Sequence, residues 1–119
     1  MTIAPWLSVA DATAAVAFYK AAFDAAELYQ LEEGGVVMVA QLSIGGSDFW
    51  LSDDPDSAPV GVKAGAVRMI VTVDDPDALF DQVVAAGATV VAGIHEDYGW
   101  RIGRIVDPFG HHWEIGKQI

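Results

Sequence analysis

The sequence predicts an α+β protein in which one βαβββ module occurs twice. Three observations carry that expectation: segments that repeat at a fixed offset, short runs of alternating apolar residues around one helix per copy, and a length of 119 residues. A chain of that size holds one domain or two small modules that share a core, not two independent domains.

The repeat is visible at two separated places. Leu7-Ser8-Val9-Ala10-Asp11 lines up with Val71-Thr72-Val73-Asp74-Asp75, an offset of 64. Gly46-Ser47-Asp48-Phe49-Trp50-Leu51 lines up with Gly110-His111-His112-Trp113-Glu114-Ile115 at the same 64. Two matches at one offset place the modules at 1–57 and 65–119, with a Pro/Gly linker over 58–64.

Each module opens with a strand, Pro5, Leu7 and Val9 alternating with Trp6 and Ser8, and Val67, Met69, Val71 and Val73 alternating with Arg68, Ile70 and Thr72. A helix follows. Asp11 is placed to cap the first, an Ala-rich run through Phe18, Tyr19 and Phe23 with high helix propensity. Asp75 caps the second, Pro76 takes its first position, and Gly87 closes it after Asp77 to Ala86. Three short strands complete each copy: Glu27 to Gln30, Val36 to Ile44 and Phe49 to Ser52, then Thr89 to Val91, Arg101 to Val106 and His112 to Ile115. Gly34-Gly35 and Gly45-Gly46 read as hairpin turns. A lone module of this size buries too little surface, so the two are expected to pair their sheets around a concave hollow, with helices outside.

Composition narrows the function. The apolar fraction is 53% and the charged fraction 19%, values of a well-packed chain rather than a disordered one. Six Lys and Arg against seventeen Asp and Glu give a net charge of −11, which excludes a general nucleic-acid binder. Residues 1–62 hold one cation, Lys20, against nine acids. Such a field favours a cationic partner and repels anionic membranes. There is no Cys, so disulfides and thiolate chemistry are absent, in keeping with a cytoplasmic protein. Neither a signal peptide nor a membrane-length apolar run is visible.

Together, Leu7-Ser8-Val9-Ala10-Asp11 leading into Phe18-Tyr19 and Phe23, Ile44-Gly45-Gly46-Ser47, Val71 to Pro76, Ala85-Ala86-Gly87-Ala88 and Gly103-Arg104-Ile105-Val106-Asp107-Pro108-Phe109-Gly110-His111 resemble the vicinal oxygen chelate superfamily, also called the glyoxalase/bleomycin resistance/dioxygenase fold. The resemblance implies paired βαβββ modules, and a homodimer in which modules or arms are exchanged. One such fold hosts metal enzymes and metal-free drug-sequestering proteins alike, so the site must decide. The positions where metal-bearing members carry His, Glu or Gln correspond here to Ala4, Trp50, Arg68 and Glu114, and the offset of 64 relates them pairwise. Of these, Glu114 alone offers a metal donor, whereas Arg68 is a permanent cation. The expectation is that Arg68 occupies the cation's place and pairs with Glu114, with no metal and no cofactor bound.

Three histidines, His95, His111 and His112, lack a ligand spacing and read as structural or solvated, with His95 in a loop beside Glu96 and Asp97. Alternation puts Trp6, Ser8, Trp50, Arg68, Ile70, Thr72 and Glu114 on the concave side, and Trp113 on the helix side. The floor is either Met38, Ala40 and Leu42 or Val37, Val39 and Gln41, and the repeat favours the Met38 set. Tyr98, Trp100 and Arg101 sit at the rim. Arg101 and Arg104, like Arg68, are either salt-bridge partners or anchors for a ligand anion or carbonyl. The ligand-binding set is therefore Trp6, Met38, Trp50, Arg68, Tyr98, Trp100, Arg101, Arg104 and Glu114, with no catalytic residue. The expected function is non-enzymatic sequestration of an aromatic, cationic small molecule such as an antibiotic, as in the bleomycin-resistance branch. Its alternatives are a metal-dependent glyoxalase-, lyase- or dioxygenase-type enzyme and a family member with an ordinary metabolite ligand.

Overall fold

The computed structural model describes residues 1–57 and 67–119, so the expected linker over 58–64 lies outside the described residues. The chain divides into two compact units, Met1–Ala58 and Pro59–Ile119. In the first unit β1 (Trp6–Val9) and α1 (Ala12–Phe23) precede β2 (Ala26–Glu33), β3 (Val36–Ile44) and β4 (Ser47–Asp53). In the second, β5 (Arg68–Thr72) and α2 (Pro76–Ala85) precede β6 (Thr89–Asp97), β7 (Trp100–Val106) and β8 (His112–Gln118). The order is βαβββ in each. Each unit forms one mixed sheet, ordered β1-β4-β3-β2 and β5-β8-β7-β6, in which the first strand runs parallel to the last and the others are antiparallel.

Both helices start where the sequence says they should. Asp11 accepts a hydrogen bond from Ala14 N at 3.0 Å, and Asp75 accepts one from Ala78 N at 3.1 Å, which satisfies an otherwise orphaned amide of the first turn. Pro76 follows as the first helical residue. Helix α1 stops at Asp24, whose left-handed backbone (φ 55°) turns the chain toward β2.

The first sheet buries Leu7, Val9, Ala40, Leu42, Phe49 and Leu51 beneath the Ala15, Phe18, Tyr19 and Phe23 face of α1. Tyr19 meets Phe49 edge to face, ring centroids 5.4 Å apart. Each fully buried aliphatic side chain contributes about 1.5–3 kcal/mol, so this face is what holds the unit together. In the second unit Phe80 and Val83 of α2 lie over Ile105, Trp113 and Ile115. Close contact there requires Gly103, since a Cβ at that position would meet the Phe80 ring at 2.7 Å. Buried Asp107 shapes the turn before β8 by accepting from Phe109 N, His111 N and Trp113 Nε1 at 2.9–3.0 Å.

Two expectations need correction. His95, Glu96 and Asp97 belong to β6, which runs to Asp97, and not to a loop. Ala40 and Leu42 are fully buried on the helix face, so the Met38 set does not floor a hollow. Leu31 pairs with Val39 while Glu32 pairs with Val37, which leaves Met38 as an extra residue in β3 and breaks the alternation there.

Candidate functional site

In each unit the helix covers one face of the sheet and leaves the other bare, and strand register decides which side chains share the bare face. On the first sheet one row reads Trp6, Trp50, Gln41 and Tyr29 across all four strands, and the next reads Ser8, Ser52, Val39 and Leu31. The Trp6 and Trp50 rings stack with centroids 5.8 Å apart and planes 12° from parallel. Tyr29 leans on Trp50 at 6.0 Å. The Trp6 indole donates its N–H to Ser52 Oγ at 2.9 Å, which fixes the ring's rotation although 55% of the residue is exposed. A held, half-bare indole is a preformed stacking surface.

On the second sheet the bare face carries charge. Its rows read Arg68 and His112, then Ile70, Glu114, Arg104 and Ala92, then Thr72, Gly116, Ile102 and His95. Arg68 Nε lies 3.0 Å from a Glu114 carboxylate oxygen. Arg104 Nε donates to Nδ1 of the buried His112 at 3.1 Å. Since a guanidinium can only donate, that imidazole accepts through Nδ1 and carries its proton on Nε2. Beside these pairs an open cleft of about 390 Å³ is lined by Ile70, His95, Asp97, Tyr98, Trp100, Ile102 and Glu114. His95 Nδ1 lies 2.9 Å from the Gly93 carbonyl, the hydrogen bond that orients the ring.

The expected residues therefore separate into groups. Trp6 and Trp50 come together on the first sheet, and Arg68 and Glu114 pair on the second. Tyr98, Trp100 and Glu114 line the cleft, with Arg104 on the same face tied to His112. Met38 stands apart at the β3 irregularity. Arg101 falls on the helix face because it alternates with Trp100 and Ile102, and there its Nε and Nη2 grip the Asp77 carboxylate of α2 at 2.7 and 2.6 Å. That hydrogen bond holds the Asp77 carboxyl below its usual range and raises the Arg101 guanidinium. Arg101 is thus a tie between helix and sheet, the salt-bridge alternative of the two open for it.

Tyr29 and Asp97 were not foreseen, and Gln41 stood in the less favoured of the two floor sets. Tyr29 reaches Trp50 through strand pairings and a register shift near Leu28 that leave no local trace in the sequence. Asp97 did have a signal: the offset of 64 that relates Gly34-Gly35 to Tyr98-Gly99 carries the first hairpin turn onto the second.

The donor set does not suit a bound divalent ion. Ala4 has no donor, Trp50 is engaged in stacking, and the one carboxylate of the four, Glu114, is ion-paired to Arg68. Among the described residues no three His, Asp or Glu side chains converge on a common point. Nor, among them, is any helix long and apolar enough to cross a membrane.

Two βαβββ units in one chain, each with a sheet face that its helix leaves uncovered, define a class of small-molecule-binding and enzyme scaffolds. This chain belongs to the Glyoxalase/Bleomycin resistance protein/Dioxygenase superfamily, which matches residues 2–115. It is 37% identical over 126 aligned positions to an uncharacterised protein of Mycobacterium tuberculosis, covering 98% of this chain and 74% of that one. Among solved structures it resembles TioX from Micromonospora sp. ML1 with a TM-score of 0.77 at 25% identity, covering 100% of this chain and 97% of that one. The fold is also that of the fosfomycin resistance protein FosX from Listeria monocytogenes, with a TM-score of 0.78 at 16% identity over 100% and 93% of the two chains.

Proposed function

We propose that this protein is a non-enzymatic binder that sequesters a planar, cationic aromatic molecule of the antibiotic type, acting as a cytoplasmic homodimer. The observation that carries this reading is the Trp6–Trp50 stack with Tyr29 against it, an aromatic surface held in place yet left bare. A core-filling role would bury Trp6, and 55% of it is exposed. Preference for a cation is supported by the net charge of −11, which raises the local concentration of cations. The Asp97 carboxylate among the cleft's aromatic walls supports it as well. Sequestration asks only for affinity and copy number, in keeping with a metal position that holds a guanidinium–carboxylate pair instead of a donor cluster.

The test is quenching of tryptophan fluorescence by a panel of planar aromatic cations that includes proflavine and ethidium. The reading expects at least one Kd below about 100 µM, roughly −5.5 kcal/mol. It falls if no member of the panel binds that tightly, or if one stoichiometric divalent ion per chain copurifies and its removal abolishes a turnover.

A further inference from the structure

The turn between β6 and β7 has a backbone cost that the fold itself does not repay. Asp97 pairs with Trp100, so Tyr98-Gly99 is a two-residue hairpin loop, and its φ values are 48° and 80°. Positive φ at both positions defines the type I′ turn, which favours Asn, Asp or Gly at the first. The chain contains its own control. The equivalent turn 64 residues earlier is Gly34-Gly35, with φ 58° and 78°, and Gly45-Gly46 closes the next hairpin at 56° and 88°. In the same backbone conformation, copy one uses glycine where copy two uses tyrosine. Among the described non-glycine residues only Asp24 shares a positive φ, and aspartate tolerates it. Packing does not compensate Tyr98, which is 96% exposed.

What Tyr98 does have is a position on the wall of the second-sheet cleft. Trp100 lines the same wall, Ile70 and Ile102 supply apolar surface, and Asp97 supplies negative charge, Glu114 being paired with Arg68. We propose that Tyr98 is held in this strained turn to present its ring as a stacking face for a planar aromatic cation in that cleft. The inference rests on the binding reading above and adds a subsite on the second sheet. An aromatic face beside a carboxylate attracts a flat cation through both the ring quadrupole and the charge.

Proflavine titration and thermal unfolding of the full chain, carried out together on wild type, Tyr98→Asn, Tyr98→Gly and Tyr98→Phe, test this. The Asn and Gly variants are expected to bind proflavine about 5- to 10-fold more weakly, while the ring-retaining Phe variant restores affinity. Relief of the strained backbone is expected to raise the Tm of the Asn variant by about 2–5 °C. Opposite signs in affinity and stability are the signature of a residue kept for its ligand. An Asn variant that melts below wild type would make Tyr98 structural, and one that binds as tightly as wild type would end the assignment while leaving the binding reading intact. Failure of the wild type itself to bind proflavine below about 100 µM would remove the binding reading, and this subsite with it.

Discussion

Arg68 Nε sits 3.0 Å from Glu114 Oε1, although register sets Glu114 opposite Ile70 and Arg104. The ion pair is therefore diagonal across β5 and β8, and Arg104 turns instead to His112. A carboxylate with two guanidinium neighbours has chosen one, and the half-exposed Arg68 is a modest partner energetically.

Replacing Arg68 by Ala is accordingly expected to cost less than about 1 kcal/mol, a loss that shrinks further in about 0.5 M salt. Urea unfolding at low and high ionic strength measures both. A loss of several kcal/mol, indifferent to salt, would mean that the pair holds the sheet together.

Trp6→Ala should separate affinity from stability in the first unit. With 55% of the residue exposed, its removal is expected to shift Tm by only a few degrees. Affinity for a planar cation that uses this surface should fall about tenfold, roughly 1.4 kcal/mol. Unchanged affinity for every binder in the panel would strip the Trp6–Trp50 surface of its role.

The Asp77–Arg101 tie predicts a pH effect of definite sign. Hydrogen bonding to Arg101 holds the folded-state pKa of Asp77 below the usual 3.8. The pair's contribution is thus present above that value and lost as pH falls through the lower, folded-state one. Wild type should outlast Asp77→Asn by a constant margin from about pH 7 to 5, and the margin should close below about pH 4. Melting curves across that range decide it, and a margin that grows in acid would reverse the assignment.

Two glycines of the second sheet differ in what surrounds them. A Cβ at Gly116 would lie 2.7 Å from the backbone carbonyl of Arg101, which cannot swing aside. Gly116→Ala is expected to destabilise by about 2–3 kcal/mol. Gly103→Ala meets chiefly the Phe80 ring and should cost less, because a side chain can yield. Equal losses in denaturant unfolding would show that Phe80 is as immovable as backbone.

Asp107 is the remaining case. Its Oδ1 accepts from two amides and its Oδ2 from the Trp113 indole, inside a residue that is 4% exposed. Truncation to Ala leaves those donors without their acceptor and should cost about 3 kcal/mol or more. Asp107→Asn keeps the Oδ1 pair but turns an NH₂ toward the indole N–H, so its stability should fall between the two. Asn melting with wild type would show that the indole bond contributes nothing.

Much of the fold was legible because it rests on local chemistry. Asp11 and Asp75 are cap residues wherever they precede a helical run, Gly34-Gly35 and Gly45-Gly46 suit positive-φ turns, and a repeat of 64 residues doubles every such signal. Within one strand, period-two alternation put Trp113 on the helix side and Trp6 and Trp50 on the other. The offset of 64 misplaced the Met38 set, since it matches Ala40 to Arg104 whereas register puts Gln41 in the corresponding place beside Trp50, and Arg101 was grouped with rim residues whose face it does not share.

By itself, then, the sequence determined the two βαβββ modules, the helix caps and the glycine turns. Tertiary structure alone decided which strands lie side by side. The parallel pairing of β1 with β4 and of β5 with β8 brings Trp50 beside Trp6 and Glu114 within reach of Arg68, while the β2–β3 pairing brings Tyr29 to Trp50. The reason is physical: ladder hydrogen bonds join backbone groups that every residue carries, so the choice of neighbouring strand is written in burial and register across the whole sheet and in no single segment.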